Sequence, residues 1–318
     1  MKAVVCTRYG PPEVLRIENV EKPRPRPDEV LVHVHAAAVS VSDCLIRSAK
    51  VKPAMWLPFR IFVGFTRPRQ PILGIELSGQ VESVGANVSR FKPGDSIIGY
   101  TGRRFGAYAQ YVCLLDGGRF MPTDSLIAPK PRNISDAEAA TVPTRATLAM
   151  YFLKRANVKP GHNVLVYGAA GGIGTFAVQL AKNAGANVTA VCSVANFDLV
   201  KSLGAVNVID YTEDRAQIGG PYDVFFDAVG GSKESAVKSR AKAALSTEGI
   251  SVSVDSSVAK VPASYLNEVS ALIEAGRLRP VLDRTYPLED AAAAHRYVEA
   301  GHKHGGVALA VDAGGVGA

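Results

Sequence analysis

The stretch VLVYGAAGGIGTFAVQLAK, residues 164–182, restricts the fold more than any other part of the chain. An apolar strand runs into Gly168, Gly171, Gly172 and Gly174, and an amphipathic helix, expected over 173–184, leaves at once. Glycines placed this way permit a tight turn, let backbone N–H groups approach an anion and bring the helix against the strand. The helix N-terminus adds a partial positive charge. The turn is therefore expected to hold the pyrophosphate of a dinucleotide, with Ala169, Gly171, Gly172, Ile173 and Gly174 around it. It is not a P-loop, because no Gly-Lys-Ser/Thr follows.

The surrounding sequence alternates in the same sense. NVLVYG (163–168), NVTAVCS (187–193), VNVID (206–210), DVFFDAVG (223–230) and ISVSV (250–254) read as strands, and 196–203 and 233–245 as helices. Repeated β-α-β units with short connections imply an α/β fold with a right-handed, doubly wound parallel sheet. The second strand ends at Cys192 and Ser193, where an NAD-preferring site usually offers Asp or Glu to the ribose hydroxyls. That carboxylate is missing here. Its absence removes repulsion against a 2′-phosphate, to which Ser193, Asn196, Lys201 and Tyr211 could donate. NADPH is the expected cofactor, with NADH as the alternative, since Lys201 reads equally as a solvated helix charge and Tyr211 as a packed loop aromatic.

A chain of 318 residues suggests two domains, at roughly 100 to 200 residues each. Hydrophobic residues at 47% and charged residues at 20% match ordinary globular usage, which excludes wholesale disorder and low-complexity classes. The net charge of +7 is scattered along the chain, a balance that an anionic small ligand explains as well as nucleic acid does, and since no recognised nucleic-acid fold accompanies it no nucleic-acid partner is expected. Cys6, Cys44, Cys113 and Cys192 lie far apart with no C-x-x-C, which argues against a zinc knuckle or a disulfide framework and for a reducing compartment. The opening MKAVVCTRYG shows no targeting signature, so a cytoplasmic location is expected. The most lipid-like stretch, 54–65, is interrupted by Pro58 and Arg60 and is too short to span a bilayer, so no membrane insertion is expected.

Residues 1–130 read differently from the centre, as many short strands between Pro and Gly punctuation: 29–39, 78–85, 95–100 and 107–114. A barrel or sandwich is the expected form. The period becomes helical over 133–157, with Ser135 and Glu138 forming a capping box. After Ser264 come one more helix, to about Ala275, and a strand-rich tail that includes VALAV (307–311). No internal repeat is found at solenoid periods.

MKAVVCTRYGPPEVL at the start, ILGIELSGQVESVGANVSRFKPGDSIIG, AAGGIGTFAVQLAK, SLGAVNVIDY, DVFFDAVGG and LRPVLDRTYPLEDAAAAHRYVEAGHK together resemble the zinc-independent quinone oxidoreductase branch of the medium-chain dehydrogenase/reductase superfamily. The likeness covers nearly the whole chain, in the family's order. It implies a GroES-like β-barrel domain built from 1–130 and 263–318, with a Rossmann domain at 131–262 between them. It also implies cofactor contacts from Val229 and Ser253, and a cleft where NADPH delivers hydride to a quinone or α,β-unsaturated carbonyl, a small hydrophobic substrate.

The departures from that pattern are informative. Zinc-dependent members carry Gly-His-Glu where this chain has Gly74-Ile75-Glu76, and their Cys ligand falls on Ser40, so no zinc is expected. His33-x-His35 and His302-x-His304 read as ordinary strand or surface histidines. The Asn-Pro-x-Asp segment of quinone reductases is Ser40-Val41-Ser42-Asp43 here, and Gly-Gly-x-Thr-Ala is replaced by Arg145-Ala146-Thr147-Leu148-Ala149. Where related reductases often place Lys or Arg by the 2′-phosphate, this chain has Ala195 and Asn196. Between 254 and 266 too few residues remain for the family's sixth sheet strand. It should be reduced to about 258–261 or lost, which weighs against a homodimer through that edge.

Hydride transfer needs a dry, oriented cleft and a donor for the developing oxyanion. The candidates are Ser40 and Thr147, with Asp43 and Arg47 spaced i, i+4 as a supporting ion pair on one helix face. A purely structural pair is an equal reading. No Tyr-x-x-x-Lys occurs, so the short-chain dehydrogenase mechanism is not available. The segment 51–69 carries Trp56, Phe59, Phe62 and Phe65 among Arg60, Arg67 and Arg69, and reads either as an aromatic lid over the substrate or as a satellite core. The alternative for the whole chain is a nucleotide-binding protein without turnover, acting as a redox sensor or partner-binding protein.

Overall fold

The structure is a computed structural model that describes residues 1–121, 123–213, 217–230, 236–255, 259–301 and 303–312. The strands are β1 (Lys2–Cys6), β2 (Leu15–Asn19), β3 (Glu29–Val39), β4 (Glu76–Val84), β5 (Ser96–Tyr100), β6 (Tyr111–Leu115), β7 (Phe120–Met121), β8 (Leu126–Pro129), β9 (Asn163–Tyr167), β10 (Asn187–Cys192), β11 (Asn207–Asp210), β12 (Tyr222–Asp227), β13 (Leu245–Ser253), β14 (Val261–Pro262), β15 (Leu282–Pro287) and β16 (Gly306–Ala310). The helices are α1 (Val41–Ser48), α2 (Pro53–Val63), α3 (Asp136–Ala140), α4 (Pro143–Arg155), α5 (Gly172–Asn183), α6 (Phe197–Ser202), α7 (Ala236–Ala243), α8 (Ser264–Glu274) and α9 (Ala291–Ala300). They divide between two compact units, Met1–Thr144 with Pro262–Ser270 and Leu282–Ala318, and Arg145–Val261 with Ala271–Val281.

The first unit is built on a seven-stranded sheet ordered β15-β16-β3-β4-β5-β8, with β6 added to β3. Only the β15–β16 pair is parallel. β3 holds the sheet together: its first half pairs with β6, its last four residues with β16, and its other edge with β4. Two register shifts against β4 bend it, so eleven residues can serve three neighbours. The core gathers Val30, Val32, Val34, Leu77, Val81, Ile97, Leu114, Val307 and Leu309. Strand spacing points to a barrel or sandwich, and the family resemblance to its GroES-like form.

The helical stretch expected over 133–157 is broken in two at Pro143, which lacks an N–H and fits only in the first turn of a helix. The capping box forms as expected, with the Ser135 amide donating to Glu138 Oε2 at 2.9 Å. α3 stays with the first unit because Asp136 is tied into it: Ser78 Oγ donates to Asp136 Oδ1 at 2.6 Å, and His35 and Lys130 lie at 3.4 and 3.7 Å. Residues 131–144 therefore belong with the sheet and not, as expected, with the nucleotide fold.

The second unit is a five-stranded, all-parallel sheet ordered β11-β10-β9-β12-β13. From β9 the chain moves outward through β10 and β11, then returns to pair β12 on the other side of β9. That reversal opens a crevice at the carboxyl ends of β9 and β12. β13 begins at Leu245, earlier than the expected 250, and α7 ends at Ala243; the Ala244 carbonyl already accepts the Tyr222 amide at 3.0 Å. The expected helix start at Lys233 lies outside the described residues. Among the described residues no sixth strand joins this sheet. Val261–Pro262 is a two-residue strand apart from it, and Val258 lies outside the described residues. Residues 271–281 return to this unit instead of staying with the tail, since Gln179 Nε2 donates to the Arg279 carbonyl at 3.0 Å and Gln179 Oε1 accepts the Arg279 amide at 2.9 Å.

Candidate functional site

The glycine turn sits where the chain reversal opens the parallel sheet. Gly168 has φ +77°, and a Cβ there would run into Val229 Cγ2. At Gly174 a Cβ would press on the Gly168 carbonyl oxygen and lie 2.8 Å from Ala169 Cα. Only glycine lets α5 start this close to the turn. Gly171 is the N-cap of α5, and Gly172 and Ile173 keep partial exposure, so the first helical N–H groups, which have no intrahelical acceptor, open outward. Backbone donors, absence of side chains and a 12-residue helix behind them fit the pyrophosphate of a dinucleotide.

Around the turn, the later strands supply a buried polar lock that sequence reasoning missed. Asp227, at the end of β12, accepts the Val229 and Gly230 amides on Oδ1 at 3.0 and 3.1 Å. Its Oδ2 accepts Ser253 Oγ at 3.2 Å and faces Lys238 Nζ at 2.8 Å. Lys238 also donates to the Gly230 carbonyl at 2.7 Å. Asp227 and Lys238 are both buried, so the pair fixes the 228–230 loop, and with it Val229, against Gly168. A carboxylate at a strand end followed by Gly-Gly was the available signal. Lys238 carried none, because its partner is set by how α7 packs.

At the end of β10, Ser193 accepts Asn196 Nδ2 at 3.0 Å, while Lys201 and Tyr211 are exposed. β10 itself ends without a carboxylate, as expected. The adjacent strand changes this picture: Asp210 is in register with Cys192 and brings an acid to the same sheet edge. Its Oδ1 accepts the Thr212 amide at 2.9 Å and its Oδ2 the Thr212 hydroxyl at 2.8 Å.

In the first unit, Ser40 is the N-cap of α1 and forms a capping box with Asp43. Ser40 N donates to Asp43 Oδ2 at 2.8 Å, Ser40 Oγ donates to the same oxygen at 2.5 Å, and Asp43 N donates back to Ser40 Oγ at 3.2 Å. The expected Asp43–Arg47 pair is corrected by the structure. Arg47, only 1% exposed, turns to Glu299 on α9, donates through Nε to His295 Nδ1 at 3.3 Å and through Nη1 to the Gly10 carbonyl at 2.6 Å. α9 offers a carboxylate within reach of the guanidinium, whereas Asp43 is spent on the helix cap. His295 is fully buried, and burial first and the Arg47 charge second hold its pKa down at about 3. Burial pushes the Cys44 thiol well up, so Cys44 beside His295 is no thiolate. Thr147, in the second unit, is fully buried in α4.

The positions that bind zinc in relatives are taken by other chemistry. Ile75 packs against the core, and Glu76 Oε1 accepts the Thr144 amide and hydroxyl at 2.8 and 2.6 Å. His33 pairs with Asp312 at 2.9 Å and stacks on Tyr111, and His35 faces Asp136; His304 lies 3.4 Å from Asp283, and His302 lies outside the described residues. No group of three or more His, Cys, Asp or Glu suited to a metal occurs among the described residues.

Comparison with known proteins bears on the same regions. The alcohol dehydrogenase GroES-like domain profile matches residues 26–123, and the zinc-binding dehydrogenase profile matches residues 203–309. The chain is 31% identical to 2-methylene-furan-3-one reductase of Solanum lycopersicum, over 97% of this chain and 79% of that protein. It is also 31% identical to a chloroplastic NADPH-dependent alkenal/one oxidoreductase of Arabidopsis thaliana, with the same coverage. Among solved structures, the quinone oxidoreductase from Coxiella burnetii matches with a TM-score of 0.83 at 29% identity, over 98% of this chain and 99% of that one.

Proposed function

The chain belongs to the quinone oxidoreductase branch of the medium-chain dehydrogenase/reductase superfamily, and on that premise we propose that it is a zinc-independent reductase passing hydride from NADPH to a quinone or an α,β-unsaturated carbonyl. The observation that carries this reading is the glycine cradle, where a Cβ would meet backbone at Gly171 and Gly174 and the Val229 side chain at Gly168. Gly171, Gly172, Ile173 and Gly174 would hold the pyrophosphate through backbone N–H groups, and Ala169 and Val229 would line the turn. The Asp227–Lys238 pair orients Val229 and Ser253 there and resists loop opening. Bound in this cradle, the reduced nicotinamide would supply the hydride.

The preference for NADPH rests on Ser193, Asn196, Lys201 and Tyr211 around the end of β10, against the opposing charge of Asp210, whose oxygens are already engaged by Thr212. Ser40 and Asp43 act as a positioning pair at the α1 terminus, with Thr147 as a second hydroxyl and Arg47 clamping α1 from behind. Ile75 and Ser40 at the family's ligand positions support chemistry without zinc. The four cysteines are free thiols, which supports a reducing compartment such as the cytoplasm.

NADPH oxidation measured across quinones, enones, aldehydes and alcohols, with and without a chelator, tests the reading. Turnover on quinones or enones that survives chelation is expected. Loss of activity on chelation would overturn the zinc-free assignment. Silence across the panel despite NADPH binding would favour the non-catalytic alternative.

A further inference from the structure

The reductase reading leaves one surface unused. Only Val63 of α2 is buried, while Phe59 packs against the core. Ala54, Leu57, Pro58 and Ile61, spaced i, i+3, i+4 and i+7, form the opposite stripe, and all four are exposed. Beside them Met55, Trp56, Phe62 and, just past the helix, Phe65 are 44–55% exposed. A soluble surface helix turns a polar face outward, and a helix that is apolar all round belongs in a core or in lipid. Apart from Arg60, every residue of α2 is apolar and most of the helix faces water, which marks a surface made for an apolar partner.

Charge narrows the choice of partner. Between Asp43 and Glu76 the chain has no acidic residue. Lys50, Lys52, Arg67 and Arg69 are exposed around α2. Arg60 lies over the Tyr9 ring at 4.1 Å and the Trp56 ring at 5.7 Å, and Arg103 lies over the Phe62 ring at 5.0 Å. The segment that carries the apolar surface is therefore purely cationic, and acids come near it on the Phe65 side, where Glu18 and Glu21 share a pocket with Phe65, Arg67 and Arg69. A second copy of the chain would set two such segments against each other. A bilayer with anionic headgroups offers apolar depth and opposite charge together. At about 1.5 Å per residue, 11 residues cover about 16 Å, enough to lie in the interface and far short of spanning a core of about 30 Å.

We propose that α2 and Phe65 form an interfacial anchor that docks this chain on membranes containing anionic lipid. The proposal stands apart from the reductase reading, and NADPH affinity separates the two in the test. Trp56 is the chain's single Trp, so its emission reports this surface directly. Vesicles of phosphatidylcholine, alone or mixed with phosphatidylserine, should be titrated while emission is followed, with brominated acyl chains as quenchers and co-sedimentation in parallel. The expected result is a blue shift and quenching with the mixed vesicles, weakened by added salt. K50Q/R67Q should bind them roughly 25-fold more weakly, at roughly fivefold per basic residue near the surface. L57E/I61E should lose binding more than tenfold while its circular dichroism and NADPH affinity stay unchanged. No binding to the mixed vesicles, undiminished binding by L57E/I61E, or a blue shift without vesicles accompanied by a doubled mass in light scattering would each overturn the proposal.

Discussion

Mild acid should loosen the first unit through His295. The ring is fully buried on α9, with Nδ1 accepting from Arg47 Nε at 3.3 Å and Cys44 Sγ 3.4 Å away, and Tyr108 meets it edge-on at 5.8 Å. Arg47 in turn is held by Glu299, so the charges facing the ring are one guanidinium and, behind it, one carboxylate. The folded pKa is held down at about 3, against about 6.5 in an unfolded chain. Between these values the unfolded state binds a proton that the folded state refuses, so stability falls as pH falls. The slope reaches about 1.4 kcal/mol per pH unit between the two values, and integrating the proton uptake gives about 2 kcal/mol between pH 6.5 and 4.5 and about 4 kcal/mol by pH 3. Asp136 acts with the same sign but in a different window. Burial raises its pKa, and bonds from His35 and Ser78 together with the Lys130 charge more than offset that, to about 2, so its contribution is lost only below about 4. Glu29 also has the same sign: burial raises its pKa, but the Arg26 amide and Arg104 hold it down, and its contribution begins to be lost only as pH nears about 4.5. The upper part of the range from pH 6.5 to 4.5 thus reports mainly on His295, and comparison with a variant isolates it. Urea unfolding followed by Trp56 emission should show the wild-type midpoint falling through this range. In His295→Gln, where a side-chain oxygen can still accept from Arg47, the midpoint should hold nearly constant. Parallel midpoints for the two proteins would refute the argument. α1 is the element clamped by Arg47 and it carries Ser40 and Asp43, so reductase activity should fall over the same range.

Three further outcomes are expected. Gly174→Asp should abolish NADPH binding, measured by nucleotide fluorescence, because it puts a side chain against the Gly168 carbonyl and a negative charge at the pyrophosphate; unchanged affinity would rule out the cradle. Lys238→Met should lower stability by about 3 kcal/mol, at the low end for breaking a buried pair, since Asp227 retains the Val229 and Gly230 amides and the Ser253 hydroxyl. Its thermal midpoint should drop and its NADPH affinity weaken, and a wild-type profile would mean that the pair fixes nothing. Asp210→Asn should raise the preference for NADPH over NADH by about tenfold, as expected for removing one like charge near a 2′-phosphate, worth about 1.4 kcal/mol; an unchanged ratio of dissociation constants would place Asp210 away from the ribose.

What the sequence disclosed was whatever depends on neighbours in the chain. The glycine turn, the Ser135–Glu138 box and the strand spacing are local patterns, and each appears where the residues put it. The i, i+4 spacing of Asp43 and Arg47 is just as local, yet it failed, because a carboxylate 252 residues along the chain competes for the guanidinium. Asp210 stayed hidden for a related reason: its place beside Cys192 follows from parallel register, which no local spacing encodes. The aromatic segment was read as a lid or a satellite core, but burial is decided by what packs against it, and the structure leaves most of α2 exposed.

Ser40 shows how geometry redistributes roles that residue type alone would assign. A serine hydroxyl has one proton to give. Here that proton goes to Asp43 Oδ2 at 2.5 Å, and the lone pairs receive the Asp43 amide. A substrate oxyanion seeking this hydroxyl would have to displace a carboxylate that also satisfies the Ser40 backbone amide, so substrate stabilisation would compete with the cap of α1. The more economical arrangement leaves Ser40 and Asp43 fixing the start of α1, as Arg47 and His295 fix its far side and Asp227 and Lys238 fix the loop by the glycine turn. In each unit, then, buried charges are used on backbone groups. The rate enhancement would come mainly from how rigidly these segments hold the reactants, with proton delivery left to water or to a group that substrate binding exposes.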